Sequence, residues 1–300
     1  MVANVLESLS ADLANAVEAA GKSLVRIEAR RRQTATGIVW SADGLIVTAH
    51  HVVERDENIR AGLPDGTVVA AQLVGRDPTT DIAVLRVQAE GLAAATWAEL
   101  DTVQVGQLVL AVGRPDAAPQ ASLGVVNVLD DAWRTMAGGT VDAYVQTDVT
   151  MYPGFSGGAL VGANGAFIGM NSSLLARGAS VTLPAATLRR VADSLRVNGR
   201  VKRGFLGVNA QGVRLPASLA EALGQETGLL LAAIEQGGPA EVAGMMVGDI
   251  LVALDEQPVR HMDDLMALLS SDRVGKIVPV RVVRGGQVTD SSVTVGERTA

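Results

Sequence analysis

Short apolar runs separated by turn residues fill most of the chain between residues 23 and 183. The runs are rich in valine, isoleucine and leucine and are too short for helices, which favours β-strands. They form two groups, residues 24–27, 37–40, 45–48, 68–74 and 82–87, and then residues 108–112, 121–128, 141–147, 158–161, 166–170 and 180–183. Two groups of about six short strands predict a pair of small antiparallel barrels or sandwiches. Residues 91–105 are predicted to connect them.

Two other segments show helical spacing. Residues 1–22 place apolar side chains on one face, namely Val2, Leu6, Leu9, Leu13, Ala16 and Ala20. We interpret this segment as an amphipathic helix that packs on its own domain. A helical linker is predicted over residues 187–203, because Pro184 is a start signal and Asn198-Gly199 a stop signal.

From residue 204 onward, predicted strands alternate with helices. The strands are expected at residues 205–209, 228–233, 249–254, 277–283 and 287–295, and the helices near residues 239–243 and 261–269. This order predicts an independent α+β domain. The chain is therefore predicted to be mainly β, with a double-barrel domain over residues 23–186 and a smaller domain over residues 204–300.

Composition narrows the possible functions. The 300 residues carry a net charge of −7 without a long basic run, which argues against nucleic acid as a partner. The chain has no cysteine, which excludes a cysteine nucleophile, thiolate metal ligands and disulfides. Residues 1–20 lack the features of a signal peptide, and no run reaches the length of a membrane span. The sequence therefore predicts a soluble chain and leaves its compartment open.

The segment Gly154-Phe155-Ser156-Gly157-Gly158 surrounds a serine with glycines. Glycine permits sharp turns and close backbone approach. Such a turn can direct the amide hydrogens of Gly154 and Ser156 to one point, where a tetrahedral intermediate places negative charge. Ser156 is therefore a candidate nucleophile, although short glycine motifs also arise by chance.

A serine nucleophile needs a general base, and the chain has three histidines. His50 and His51 follow a predicted strand, and alternation along a strand sends neighbouring side chains to opposite faces. Only one of the two can therefore contact Ser156, and the pattern leaves the choice open. A metal site at this pair is not expected without further ligands. His261 is interpreted as a solvated residue at a helix start.

Asp81 is the candidate carboxylate that orients the base. It precedes the apolar run Ile82-Ala83-Val84-Leu85, and a carboxylate at the mouth of such a strand is costly to bury unless an imidazole N–H pairs with it. Asp77 is the competitor, but Pro78 follows it and a turn-forming Asp-Pro is its simpler role.

Three motifs together resemble those of HtrA/Deg-type serine proteases, which are chymotrypsin-like enzymes with a double β-barrel. They are Thr48-Ala49-His50-His51-Val52-Val53, Asp81-Ile82-Ala83-Val84-Leu85 and Gly154-Phe155-Ser156-Gly157-Gly158-Ala159-Leu160. The segment Arg203-Gly204-Phe205-Leu206-Gly207-Val208 resembles the start of that family's PDZ domain. The stretch from Gly238-Pro239-Ala240 to Gly248-Asp249-Ile250-Leu251 resembles its middle. The likeness spans residues 23 to 295 in family order.

The resemblance implies that His51 is the base, Asp81 its orienting partner and Ser156 the nucleophile, with an oxyanion hole at the Gly154 and Ser156 amides. It also implies an ATP-independent endopeptidase that cleaves unfolded or damaged proteins without a cofactor. The family further suggests a homo-oligomer, by resemblance a trimer, and an extracytoplasmic location.

The sequence departs from the family pattern beside the nucleophile. Phe155 stands where the family usually has asparagine, and Ala49-His50 where it often has Asn-Asn. A bulky residue before the serine would alter the turn or occlude the site. The alternative function is therefore a catalytically silent pseudoprotease that acts as a PDZ peptide-binding adaptor.

The specificity pocket is predicted beside Ser156, lined by Met151, Asn171, Ser172, Ser173 and Leu174. No acidic residue occurs among them, which argues against cleavage after lysine or arginine. The family implies cleavage after small or medium aliphatic residues.

The PDZ-like domain is expected to bind peptide C-termini by adding them as a strand to a sheet edge. The candidate carboxylate loop is Phe205, Leu206, Gly207 and Val208, and Leu265 and Leu269 are expected on the facing helix. A role for the two leucines in the domain core is the alternative.

Overall fold

The structure is a computed structural model that describes residues 2–175, 180–202, 204–269 and 273–298. The chain divides into two compact units, Met1–Val201 and Lys202–Ala300. Among the residues described, no helix is long and apolar enough to cross a membrane. The first unit contains both predicted barrels and the second the predicted α+β domain.

Six antiparallel strands form the first barrel. They are β1 (Leu24–Glu28), β2 (Ala35–Ser41), β3 (Leu45–Ala49), β4 (Ile59–Gly62), β5 (Val68–Asp77) and β6 (Ile82–Val87). They close in the order β1-β2-β3-β6-β5-β4, which leaves no strand edge unpaired. In the β3–β6 pair, Ala49 lies opposite Ile82. The residues just after β3 are therefore next to the residue just before β6.

The second barrel follows the same plan. Its region contains β7 (Leu108–Gly113), β8 (Gln120–Asp130), β9 (Trp133–Arg134), β10 (Thr140–Val141), β11 (Tyr144–Thr147), β12 (Ala159–Gly162), β13 (Phe167–Ser172) and β14 (Ser180–Pro184). β9 and β10 form a separate hairpin, and the other six strands close in the order β11-β14-β13-β12-β7-β8. The loop between β11 and β12 carries Ser156, so the second barrel supplies the candidate nucleophile.

Two helices pack on the barrels. In α1 (Val2–Gly21), Ala16 and Ala20 are buried, whereas Val5 and Leu6 are 66% and 62% exposed. The expected helix is present, but only its C-terminal half packs on the domain. The second helix, α2 (Ala185–Asn198), buries an apolar face against β5, β6 and β13 and ends at Gly199, which has a left-handed backbone. The predicted linker segment is thus largely a helix of the first unit.

The second unit is a small domain of strands and short helices. Its elements are β15 (Gly204–Phe205), β16 (Val208–Arg214), α3 (Ala217–Leu223), β17 (Thr227–Ile234), α4 (Pro239–Val242), β18 (Ile250–Leu254), β19 (Gln257–Pro258), α5 (Met262–Leu268), β20 (Ile277–Arg284), β21 (Gln287–Thr294) and β22 (Gly296–Glu297). The main sheet has the order β16-β17-β18-β20-β21. β16 is an edge strand, and α5 packs beside it.

The predicted fold class, mainly β with two barrels before an α+β domain, is confirmed. The sequence pattern missed β4 and α3, and also the two-residue strands β9, β19 and β22. β4 has only four residues and exposes Arg60, so its apolar signal is weak. The single strand predicted over residues 141–147 is interrupted, because Val141 belongs to the β9–β10 hairpin and β11 begins at Tyr144.

Candidate active site

The turn that carries Ser156 depends on two glycines with left-handed backbone. Gly154 has a φ of 88° and Gly157 a φ of 82°. A Cβ atom on Gly157 would lie 2.1 Å from the carbonyl oxygen of Thr36 and 2.4 Å from Thr48 Oγ1. Glycine is therefore required there, both for the backbone angle and for the close approach of β2 and β3.

Two amides in this turn remain available to a ligand. The amides of Phe155 and Gly157 donate to backbone carbonyl oxygens at 3.0 and 2.9 Å. Within the described part of the chain, the amides of Gly154 and Ser156 donate to no acceptor. This alternation leaves the two predicted oxyanion donors free while their neighbours hold the turn.

His51 lies against Asp81 at the junction of β3 and β6. Its Nδ1 is 2.8 Å from Asp81 Oδ2 and 3.0 Å from Oδ1, and its backbone N–H donates to Oδ1 at 2.9 Å. The register of β3 and β6 accounts for this contact, since His51 follows one strand and Asp81 precedes the other. A carboxylate on Nδ1 leaves Nε2 to act as the base.

Asp81 is fully buried and has a left-handed backbone with a φ of 58°. A buried carboxylate needs several donors. Besides the two from His51, Ser172 Oγ donates to Oδ2 at 2.5 Å. Ser172 is therefore a partner of the carboxylate, a role that sequence reasoning did not assign because it places the residue in the specificity pocket.

The hydroxyl of Ser156 is bonded to Ser173 rather than to histidine. The two Oγ atoms are 2.9 Å apart, and the Ser173 N–H lies 3.4 Å from Ser156 Oγ. Among the residues that the structure describes, no hydrogen bond joins Ser156 to His51. The neighbours Ser172 and Ser173 nevertheless contact Asp81 and Ser156 respectively, which brings the predicted nucleophile close to the His51–Asp81 pair. Catalytic hydrogen bonds are often long or absent before substrate binds.

His50 does not join this arrangement. Its backbone N–H donates to the carbonyl of Asp81 at 3.0 Å, but its ring Nδ1 is buried and has no partner among the described residues. Burial, reinforced by the nearby Arg76 guanidinium, lowers the pKa of His50 below its ordinary value. The ring is therefore neutral near pH 7, and His51 is the histidine that the carboxylate orients.

Asp77, the competing carboxylate, binds its own turn. Its Oδ1 accepts from the N–H and hydroxyl of Thr79, and its Oδ2 accepts from Thr80 Oγ1 at 2.7 Å. This is consistent with the turn-forming role predicted for it.

The residues predicted to line a specificity pocket divide into two groups. Asn171 and Ser172 are buried, and their side chains are hydrogen-bonded inside the barrel and to Asp81. Ser173 lies at the nucleophile, Leu174 is exposed and Met151 is half-buried against the second barrel core. The first two therefore present no free polar group, and a pocket at the other three stays a prediction.

Phe155 points away from the site. Its ring is fully buried in the second barrel core and meets the ring of Tyr152 edge-on at 5.5 Å. The side chain therefore occupies core volume and does not occlude Ser156. This removes the one sequence feature that favoured a silent barrel.

The PDZ-like unit displays a second pair of unbonded amides. Among the described residues, the N–H groups of Leu206 and Gly207 donate to no acceptor. The carbonyls of both residues accept from α4 and its preceding loop, at 2.8 Å each. The loop therefore presents donors at the end of the open strand β16, where Val208 begins. Phe205 lies in β15 and pairs with Gly296 of β22.

Leu265 of α5 and Leu269, which directly follows this helix, belong to the core. Leu265 and Leu269 are buried in the same cluster as Leu206. His261 lies just before the helix, where Asp264 accepts from the His261 N–H at 3.0 Å. The structure thus favours the core alternative for the leucines, and His261 is exposed at a helix start as expected.

Comparisons with known proteins identify both domains of this fold. Residues 35–170 match the family model described as a trypsin-like peptidase domain, and residues 204–295 match the model of a PDZ domain. A probable periplasmic serine endoprotease DegP-like of Halomonas elongata is 36% identical over 275 residues, which covers 89% of this chain and 57% of that protein. The chain thus spans little more than half the length of the curated relatives it matches.

Solved structures match over nearly their whole length. The HtrA-type protease AlgW with a decapeptide has a TM-score of 0.80 and 28% identity, covering 96% of this chain and 99% of that chain. AlgW with a tripeptide has a TM-score of 0.78 and 31% identity, covering 96% and 98%. The fold and the domain order are therefore shared with these proteins.

Proposed function

The chain belongs to the HtrA-type, DegP-like family, and from this premise we propose that it is a serine endopeptidase that cleaves unfolded or damaged proteins without ATP. The observation that carries the proposal is the pair of amides at Gly154 and Ser156, which have no acceptor among the described residues, in a turn where the amides of Phe155, Gly157 and Gly158 are occupied. Such a pair suits an oxyanion that forms only during reaction.

In the proposed reaction, the Ser156 hydroxyl first exchanges its bond to Ser173 for one to His51. His51 then removes the hydroxyl proton while Oγ attacks the carbonyl carbon of the substrate. The carbonyl oxygen becomes an oxyanion and accepts from the amides of Gly154 and Ser156. Each donor of this kind contributes about 100- to 1000-fold in rate.

Collapse of the tetrahedral intermediate breaks the peptide bond. His51, now protonated, gives its proton to the leaving amine, and the acyl group remains on Ser156. Water repeats the sequence with His51 as base and releases the acid. Asp81 stays ionised, holds the Nδ1–H tautomer and stabilises the charged ring; Ser172 and the His51 amide support it.

The proposed specificity is for small or medium aliphatic residues before the cleaved bond. Its support is the chemistry of the predicted lining, in which Met151 and Leu174 are apolar and Asn171 and Ser172 have their polar groups occupied. No carboxylate is present in this set to pair with lysine or arginine.

The PDZ unit is proposed to bind peptide C-termini for substrate capture or regulation. An extended peptide would add to the edge of β16 and place its carboxylate on the amides of Leu206 and Gly207. The proposed partners are thus protein substrates at the barrels and C-terminal peptides at the sheet edge. Within the described residues no cluster of histidine, aspartate or glutamate could hold a metal ion.

An extracytoplasmic location is proposed because the curated relatives are named periplasmic. A homo-oligomer is proposed as well, with a trimer expected from the family resemblance. The exposed apolar side chains of Val5 and Leu6 on α1 are consistent with an assembly contact.

The test compares the wild type with Ser156→Ala on unfolded β-casein without ATP, and labels both with a fluorophosphonate. Cleavage and labelling by the wild type alone would support the proposal. Absence of both from the wild type, even with a C-terminal peptide activator, would reject the enzyme and favour the adaptor. For the PDZ unit, one peptide is compared as free acid and as C-terminal amide; equal affinities would reject carboxylate capture.

A further inference from the structure

We propose that Thr36 is a positioning residue that sets the oxyanion hole, an inference that rests on the proposed peptidase function. Thr36 is fully buried on β2, where its neighbours Ala35 and Ile38 are apolar and equally buried. It belongs to the first barrel, whereas the Ser156 turn belongs to the second. A buried hydroxyl in such a strand needs partners, and both of its partners are backbone groups of the second barrel.

Every polar group of Thr36 is bonded at this junction. Its Oγ1 donates to the carbonyl of Gly154 at 2.8 Å and accepts from the backbone N–H of Arg114 at 2.8 Å. Its backbone N–H donates to the carbonyl of Ser156 at 3.3 Å. Its carbonyl accepts from Thr48 Oγ1 at 2.7 Å. One residue of the first barrel therefore holds two carbonyls of the nucleophile turn.

Planarity of the peptide bond makes the bond to Gly154 important. The Gly154 carbonyl and the Phe155 N–H belong to one peptide plane. Thr36 holds its carbonyl end, and the carbonyl of Tyr152 holds its N–H end at 3.0 Å. The planes on either side carry the two unbonded amides, those of Gly154 and Ser156. The middle plane therefore anchors one end of each flanking plane, while the Gly158 N–H, which donates to the Phe155 carbonyl at 2.9 Å, also holds the plane of the Ser156 amide.

The flexibility of Gly154 makes it necessary to hold this peptide plane in place. Gly154 has a φ of 88°, and a residue without Cβ adopts several backbone conformations at similar cost. Without the Thr36 hydroxyl, the middle plane loses one of its two bonds and can rotate. The donors would then no longer converge on one oxygen, although the nucleophile and its base are untouched.

The experiment uses two substitutions at Thr36 and one matched control. Thr36→Val keeps the shape and removes the hydroxyl, whereas Thr36→Ser keeps the hydroxyl. Thr187 is the control because it is also fully buried and its hydroxyl has the same bonding pattern. Its Oγ1 accepts from the Asp142 backbone N–H and donates to the Asp142 side-chain oxygen Oδ2. Each variant is measured for kcat and KM on a peptide ester, for affinity toward a peptide boronic acid, and for thermal unfolding.

Thr36→Val is expected to lower kcat about ten- to hundred-fold, less than the loss of about 100- to 1000-fold for deleting an oxyanion donor outright. KM should change little, and boronic acid affinity should fall with kcat, because both report tetrahedral binding. Thr36→Ser should recover most of this loss. Thr187→Val should lose stability and keep kcat, so equal kcat losses in Thr36→Val and Thr187→Val would overturn the inference.

A crystal structure separates this inference from the proposed function. If the wild type neither cleaves casein nor reacts with a fluorophosphonate, the peptidase proposal fails. The positioning claim is then decided by the structures of wild type and Thr36→Val. A Gly154 carbonyl that keeps its direction in Thr36→Val would reject the claim, and a rotated peptide plane would support it.

Discussion

Two glycine turns each display a pair of amides without an acceptor in the part of the chain that the structure describes, but the surroundings of the two turns differ. At the Ser156 turn, a Cβ atom would meet Thr36 O at 2.1 Å from Gly157 and Pro115 Cβ at 2.6 Å from Gly154. At the loop of the second unit, a Cβ atom on Gly207 would meet its nearest neighbour, Glu235 Cβ, at 3.3 Å. The first turn is enclosed by backbone from the other barrel, whereas at the second the nearest contact is tight but is made by a side-chain carbon.

The two turns are enclosed to different degrees, and the ligands proposed for their amides make different demands on the surroundings. An oxyanion exists only during reaction, so its donors must be held in place beforehand. A peptide carboxylate is a stable ligand that arrives with an extended chain, so its donors must lie at an accessible strand edge. Preorganisation requires an enclosed turn, and entry of a chain requires an open one. Substitutions in and around the two turns test this contrast.

Gly157→Ala should have the largest effect. The left-handed backbone alone costs about 1–2 kcal/mol for a residue with a side chain. The contact at 2.1 Å adds to this, because Thr36 O is backbone of a closed barrel and cannot rotate away. We expect a total loss of at least about 3 kcal/mol in the free energy of unfolding, measured by urea denaturation, and loss of peptidase activity.

Gly106→Ala is the matched control for this loss. Gly106 has a φ of 87°, and no atom of the described residues lies within 4 Å of the position of its Cβ. It therefore has the backbone strain of Gly157 without the contact. If the two variants lose equal stability, the enclosed turn is not the cause and the contrast between the two sites fails.

Ser172→Ala should have the next largest effect, on rate more than on stability. A hydrogen bond to a charged group contributes about 1.5–3 kcal/mol, which corresponds to a fall in kcat/KM of about ten- to hundred-fold. Ser41→Ala is the control, since its hydroxyl also binds an aspartate, Asp43, but at an exposed turn. A Ser172→Ala variant as active as Ser41→Ala would show that Asp81 does not need this donor.

Gly207→Ala should cost less, because it is opposed by backbone strain and by a tight side-chain contact, to Glu235 Cβ at 3.3 Å, rather than by a contact at 2.1 Å with backbone. Gly207 has a φ of 75°, and we expect a loss of about 1–2 kcal/mol in stability. Peptide affinity should fall about tenfold, the equivalent of one hydrogen bond. Gly237 has a φ of 73° with nothing within 4 Å, so Gly237→Ala should show the strain alone and keep its affinity. Equal affinities in both variants would argue against the Leu206–Gly207 loop.

The sequence indicates the proposed catalytic residues more clearly than the residues that hold them in place. Ser156, His51 and Asp81 stand in local motifs whose glycines and flanking apolar runs can be read directly. Thr36 has no such signal, because its bond to Gly154 crosses 118 residues and a threonine in a strand is ordinary. Ser172 likewise reaches Asp81 across 91 residues. Residues that hold a site from another barrel become visible only when the fold brings them together.

Phe155 shows a different limit of sequence reasoning. The sequence places a bulky residue before the nucleophile, and occlusion was a reasonable expectation. Side-chain direction on a sharp turn depends on backbone angles that the sequence does not display. In the structure the ring enters the second barrel core, where a Cβ on Gly113 would lie 2.7 Å from it. Gly113 and Phe155 thus share a space that neither motif reveals.

The smallest predicted effect concerns pH, where the two units should again differ. The ring of His50 is buried, and the charged or titratable groups around it are Arg76, Asp81, His51 and Asp77. Burial and Arg76 together lower the pKa of His50 in the folded chain. As pH falls, His50 of the unfolded chain therefore takes up its proton first, near the ordinary value of about 6.5. The stability that neutral His50 contributes is therefore present above this pH and is lost as pH falls below it.

In the second unit, burial raises the pKa of Asp249, but two bonds from Arg284 and one from the Met246 N–H outweigh it and the net pKa is lowered. The stability that ionised Asp249 contributes is therefore lost only as pH falls to the ordinary aspartate pKa of about 3.9 and below. Between pH 7 and 5, titration of these two groups should lower the free energy of unfolding of the first unit alone, by at most about 1.4 kcal/mol per pH unit for one proton.

Tryptophan fluorescence during urea unfolding reports the first unit only, because all three tryptophans, Trp40, Trp97 and Trp133, lie in it. His50→Asn should flatten this pH dependence and His261→Asn should not; an unchanged slope in His50→Asn would assign the acid sensitivity to another group.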